Sequence, residues 1–142
     1  MKEYTTNEVM QIVDMERESF RSLTNYYNLH PIYQSPGGHG RQNLYSQWDI
    51  YGIAVFQILR KTFHGNYLMG FFNKWRDVDP GEAYKTIYSV VVVSTMELII
   101  LRQFTDGPFP YSVIENDPYV ILKISEIIRY INKKAEGLGR EI

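Results

Sequence analysis

The chain contains no cysteine, which excludes disulfides, thiolate metal sites and thiol-based redox sensing among its own residues. It also has no excess of charge of either sign: 15 Lys and Arg stand against 16 Asp and Glu, a formal net charge of −1. The bulk basic balance of an electrostatically driven nucleic-acid binder is therefore missing, and an anionic partner must be met by arrangement instead. Dividing the chain does not alter this. Up to His64, Lys2, Arg17, Arg21, Arg41, Arg60 and Lys61 are matched by Glu3, Glu8, Asp14, Glu16, Glu18 and Asp49. Long apolar runs are missing as well: the richest, Val90 to Leu101, carries Glu97 and is too short to span a bilayer, and MKEYTTNEVMQ has no apolar core of signal-peptide length. A soluble, cytoplasmic protein with no membrane partner is the expectation.

Catalytic signals are equally sparse. No nucleophile, base and orienting residue fall into a local constellation, so an enzyme is not expected. His30, His39 and His64 lack metal-ligand spacing, and neither a metal nor a cofactor is expected. What the chain does have is apolar and aromatic mass: a hydrophobic fraction of 44%, with 12 Tyr and 7 Phe among 142 residues. That is ample for a folded core and argues against disorder.

Local signals then order the N-terminal part. Thr5 with Glu8 three residues on fits a capping box, and Val9, Ile12 and Val13 follow at helical spacing, which predicts a helix from about Thr6 to Val13. A second helix is expected from near Glu16, with Phe20 and Leu23 on its buried side and Met15 packing on Phe20. The connection between them is only Asp14 and Met15, short enough to favour a helix-turn-helix. Arg17 and Arg21 share a face of the second helix, with Glu18, Ser19 and Ser22 close by. Such a face is either an ordinary solvated surface or one that meets a groove and its phosphates.

Around Leu29 to Ile32 the chain turns extended and enters Ser35-Pro36-Gly37-Gly38-His39-Gly40-Arg41. This glycine-rich loop suits a two-stranded wing pairing Ile32 to Gln34 with Asn43 to Tyr45, and Arg41 could reach a phosphate from it. A nucleotide-type phosphate loop fits poorly, because no Lys-Ser or Lys-Thr follows the glycines. Ser46 and Asp49 form a second capping pattern, with Tyr45 and Ile50 as a staple, and Trp48, Val55, Phe56, Leu59 and Phe63 give a helix to about Thr62 its apolar side. Trp48 is expected in the core.

Over residues 4 to about 60 the chain resembles the winged-helix DNA-binding domain of the MerR family of transcriptional regulators. The resemblance is carried by Tyr4-Thr5-Thr6 before Glu8-Val9, the Phe20-Arg21 step, Gly37-Gly38, and Leu44-Tyr45-Ser46 followed by Asp49-Ile50. It implies DNA-contacting roles for Thr5, Arg17, Ser19, Arg21, Ser22, His39, Arg41 and Tyr45. It departs from the family pattern at Glu16, where Ser or Thr is usual, at Ser22-Leu23, where an aromatic pair is usual, and over Asn25 to Asn28.

Beyond His64, residues Gly65 to Asp79 read as a connector or a short amphipathic helix around Met69 to Trp75. Ala83, Ile87, Val90, Val91, Ser94, Leu98 and Leu101 recur at threes and fours and predict a helix from Gly81 to about Phe104, although four consecutive valines favour a strand. Asp117 and Pro118 look like the start of another helix, with Ile121, Ile124, Ile127, Ile128 and Ile131 on one side and a stop at Gly137. Tyr84, Tyr88, Tyr111, Tyr119 and Tyr130 read as core or rim residues, or as the lining of an aromatic effector cavity.

The expected architecture is mainly α: a winged helix-turn-helix with a small β wing over residues 1–64, then C-terminal helices over 65–142 for dimerisation or effector response. The expected function is a transcriptional regulator that binds double-stranded DNA at a pseudopalindromic site as a homodimer through those helices, with an unidentified small-molecule effector as a further partner. The alternative is a protein-interaction module built on a degenerate winged helix that no longer binds DNA.

Overall fold

A computed structural model describes residues 3–33, 43–77, 88–93, 98–103 and 119–139. Over these the chain is mainly helical, with two small antiparallel sheets. The first helix, α1 (Thr6–Ile12), is opened by Thr5, whose hydroxyl accepts the Glu8 N–H at 3.3 Å while the Glu8 carboxylate accepts the Thr5 N–H at 3.1 Å. This reciprocal arrangement satisfies two donors that a helix start leaves orphaned. Asp14, at φ 52°, then takes the left-handed turn that lets Met15 N–H close on the Met10 carbonyl at 3.0 Å, a Schellman-type stop.

The next helix, α2 (Arg17–Tyr26), begins immediately after Glu16, whose side chain makes no capping hydrogen bond. It ends at Tyr27, and Asn28 at φ 60° returns the chain so that Leu29 N–H reaches the Leu23 carbonyl at 3.1 Å. Asn tolerates this conformation better than most side chains. The third helix, α3 (Gln47–Thr62), starts at Ser46, whose hydroxyl accepts the Asp49 N–H at 3.1 Å. The starts of α1 and α3 lie where near-neighbour capping chemistry places them.

Strand β1 (Glu3–Thr5) pairs antiparallel with β2 (Leu44–Ser46), Tyr4 opposite Tyr45. On the other side of β2, Tyr33 forms a bridge with Leu44, their N–H and C=O groups exchanged at 3.4 and 3.0 Å. The expected pairing of Ile32 to Gln34 with Asn43 to Tyr45 is thus met at its centre as a single bridge. The longer partner of β2 is the N-terminal strand, which sequence patterning did not single out. The glycine-rich loop beyond the bridge lies outside the described residues.

Helix α3 is the central floor: Tyr51, Ile53, Val55, Phe56 and Leu59 are all buried. A 3-10 turn (Gly65–Leu68) leads to α4 (Phe71–Arg76), the short helix anticipated around Met69 to Trp75. Phe71, Phe72 and Trp75 are buried against α3, with Phe72 stacked on Phe56 at 5.3 Å and Trp75 stacked on Trp48 at 4.4 Å. Gly52 makes room for this contact, since a Cβ there would sit 2.5 Å from Trp75 Cδ1.

The C-terminal part corrects two expectations. In place of a helix from Gly81 to Phe104, the described residues form β3 (Tyr88–Val93) and β4 (Leu98–Gln103), antiparallel with Val90 opposite Leu101. Strand β5 (Tyr119–Leu122) pairs with the other edge of β3, giving the order β4-β3-β5. A continuous apolar run satisfies helical spacing by default, so its period cannot separate helix from buried strand, and here the β-branched preference prevails. The isoleucine helix, α5 (Ile124–Gly137), accordingly starts after that strand and not at Pro118; its stop at Gly137 is as expected.

Ile124, Ile128, Ile131 and Ala135 of α5 are buried in the same core as α1 and α3. Tyr51 Oη donates to Asn132 Oδ1 at 2.5 Å, and Lys134 Nζ donates to Asp14 Oδ2 at 2.6 Å. The core therefore runs across residue 64, and the apolar stripe expected to serve dimerisation is covered within the chain. Among the described residues no helix is long and apolar enough to cross a membrane.

Candidate nucleic-acid interface

Helix α2 is strongly two-sided. Phe20 and Leu23 are buried, Phe20 meeting Tyr45 edge-on at 5.4 Å. At 100° per residue the opposite face carries Glu18, Arg21, Ser22 and Asn25, with Arg17 on its flank. Arg17, Glu18, Arg21 and Asn25 are all exposed. The Arg21 guanidinium lies 3.5 Å from Glu18, with side chains 58% and 83% exposed. A surface pair of this kind contributes at most about 1 kcal/mol and yields readily to a phosphate, so Arg21 is not held inward. Arg17 forms no ion pair among the described residues.

The hydroxyls on this helix are already directed. Ser22 Oγ donates to the Ser19 carbonyl at 2.7 Å, and Thr24 Oγ1 donates to the Arg21 carbonyl at 2.9 Å. Ser22 is half-buried and keeps acceptor capacity, while Ser19 is exposed. Thr5, half-buried at the mouth of α1, spends its hydroxyl on the Glu8 N–H.

Tyr45 requires a correction. It is only 1% exposed, packed on Phe20, with burial pushing its phenol pKa above the ordinary value and a hydrogen bond with Thr6 acting the other way. Strand alternation turns it to the core side of β2, so its ring is a packing element and not a contact surface. His39 and Arg41 lie outside the described residues.

Two features were missed in the sequence. Asn25 sits one helical turn beyond Arg21, and the i,i+4 rule alone would have found it. The second is a clamp at the base of the loop. Asp49, 2% exposed, receives Arg76 Nε at 3.3 Å, and the same guanidinium donates to the His30 carbonyl. Arg76 thus joins the start of α3, the end of α4 and the segment leading to Tyr33. Asp49 Oδ2 has no hydrogen-bond partner among the described residues. No local pattern relates positions 27 and 46 residues apart.

At the far end of α2, Arg60 donates to the Tyr27 hydroxyl and lies 5.6 Å from its ring centre. With Ser19, Ser22 and Lys61 these residues line a groove of about 480 Å³ between α2 and α3. Among the described residues no three acidic or histidine side chains gather in a way that could hold a metal ion. Comparison with protein-family models and with curated proteins gives no match to this chain.

Proposed function

We propose that this chain binds double-stranded DNA as a winged-helix transcriptional regulator, presenting α2 to a groove. One relation carries the reading: Phe20 and Leu23 are buried, Phe20 against Tyr45, and Tyr27 at the end of α2 packs on Phe56 of the floor helix, which turns Arg21 and Asn25 outward and leaves Arg17 beside them. An Arg and an Asn one turn apart can supply a bidentate contact to guanine and one to adenine, with Arg17 on a phosphate. The short α1–α2 joint, the bridge between Tyr33 and Leu44, and the Arg76 clamp hold helix and loop base on one scaffold.

Reading a pseudopalindrome takes two copies. With the isoleucine stripe of α5 buried, the pairing surface must lie elsewhere, and β4 and β5, the outer strands of their sheet, offer unpaired backbone among the described residues. Selection of preferred sequences from random duplexes, followed by salt titration, tests the reading. Enrichment of a two-fold motif whose affinity falls steeply with salt supports it, and no binding to any duplex at low salt rejects it.

A protein-interaction role is favoured by a different observation. Tyr26, Ile32 and Tyr33, at the end of α2 and the entry to the loop, are all exposed large apolar side chains. If that role holds, the wild-type chain binds no duplex at low salt, and replacement of these three residues by Ser abolishes partner binding.

A further inference from the structure

A cleft of about 790 Å³ opens on a side of the molecule formed by α1, α3 and α5. Its floor is apolar: Ile12, Ala54, Leu122 and Ile131 are buried there, while Ile58 and Ile127 stand half-buried on the walls and Tyr130, 60% exposed, edges the mouth. The volume falls in the range of small-molecule sites, and an apolar body with a few polar groups at the rim is their usual composition.

The charges at the mouth decide what such a molecule must carry. Asp14 is engaged by Lys134 at 2.6 Å, and Glu126 lies 3.9 Å from Lys123. Lys61, from the last turn of α3, is exposed on the same rim and has no ion pair among the described residues. The local balance is thus one uncompensated cation above an apolar trough. An anion without an apolar body would gain little at so exposed a lysine, and a purely apolar molecule would leave Lys61 unanswered. We infer that the cleft between α1, α3 and α5 binds an amphipathic monoanion, an aliphatic or aryl carboxylate, with its body along Ile12, Ala54 and Ile131 and its carboxylate on Lys61.

Asp14, in the cleft wall, is also the left-handed residue that turns α1 into α2. A ligand seated here therefore touches the joint that aims α2. The site itself does not depend on whether α2 meets DNA.

Decanoate and decanol, which share a chain and differ in charge, discriminate the idea by isothermal titration against the full chain. Saturable one-to-one binding of decanoate is expected, with Lys61→Met weakening it roughly fivefold to tenfold while leaving decanol unchanged. Ala54→Phe, filling the floor, should abolish binding of both. Should that variant fail to fold by circular dichroism, Ile127→Gln on the half-buried wall should weaken both ligands alike. No saturable binding of decanoate overturns the inference. So does equal decanoate affinity in wild type and Lys61→Met, or a self-associated form, seen by light scattering, that excludes decanoate from the cleft.

Discussion

Trp48 and Trp75 hold each other by exchange: each indole N–H donates to the other's backbone carbonyl, at 3.0 and 2.9 Å, with the rings stacked 10° from parallel. Two buried donors and two carbonyls are satisfied in one contact, which welds the first turn of α3 to the end of α4. Loss of either indole removes one of these bonds, at a net cost of about 0.5–1.5 kcal/mol before the lost packing is added, since the Trp48 carbonyl keeps its place in the helix ladder and the Trp75 carbonyl still receives the Asp77 N–H. Trp75→Phe should therefore lower the urea midpoint substantially with little change in slope.

Gly52 is the steric counterpart of that pair. Ala is the better helix former by about 1 kcal/mol, yet its Cβ would stand 2.5 Å from Trp75 Cδ1, and forced overpacking costs about 1–3 kcal/mol. Gly52→Ala should be net destabilising in equilibrium unfolding, and it should become milder in a Trp75→Leu background. Equal effects in both backgrounds would show that the ring does not set the constraint.

Arg76→Met tests the clamp. Asp49 would keep a buried carboxylate without its cation, and removing one partner of a buried pair typically costs 3–5 kcal/mol. Arg76 is one-third exposed, so about 2–3 kcal/mol is expected here. Because the His30 carbonyl also loses its donor, amide exchange should speed up at Tyr33 and Leu44, at the base of the loop.

Arg21→Ala should leave stability within about 0.5 kcal/mol, as expected of an exposed side chain in a surface pair. On the DNA-binding reading it should weaken duplex affinity and flatten the salt dependence. Glu18→Gln should act in the opposite direction by relieving Arg21 of its neighbour. Unchanged affinity in both variants would remove α2 as the contact helix.

The Tyr45 phenol has its pKa raised by burial above its ordinary value of 10.0. A raised folded-state value means that the stabilisation is fully present below about pH 10 and is lost as pH climbs through the higher folded value. Unfolding free energy measured from pH 8 upward should fall in that window, and Tyr45→Phe should shallow the decline relative to wild type. An identical slope in the variant would show that other tyrosines control the alkaline limit.

Near-neighbour chemistry made much of the N-terminal half legible. Thr5 with Glu8 and Ser46 with Asp49 cap their helices through atoms three residues apart, so their effect survives in any tertiary setting. The pattern Phe20, Arg21, Leu23 likewise made α2 two-sided before any fold was known, and with it the exposed arginines. The position of Tyr45 needed more than a motif: strand alternation turned the ring to the core, although the family resemblance pointed to a contact role.

Tertiary structure decided what local pattern left degenerate. Val90 to Val93 lie within a run that fits helix or strand equally, and pairing with β4 along the whole run and with β5 as far as Val92 settled the matter by giving the backbone partners on both sides. The amphipathic stripe of α5 was readable, but whether Ile128 and Ile131 would meet a second copy or their own α1 and α3 depended on the shape of the core they found. Trp48 with Trp75, and Arg76 with Asp49 and His30, join positions that no period connects. Capping and amphipathicity act over one helical turn and are written in adjacent residues; partner choice between distant surfaces depends on which burial leaves the fewest polar groups unmet, and only the folded chain resolves it.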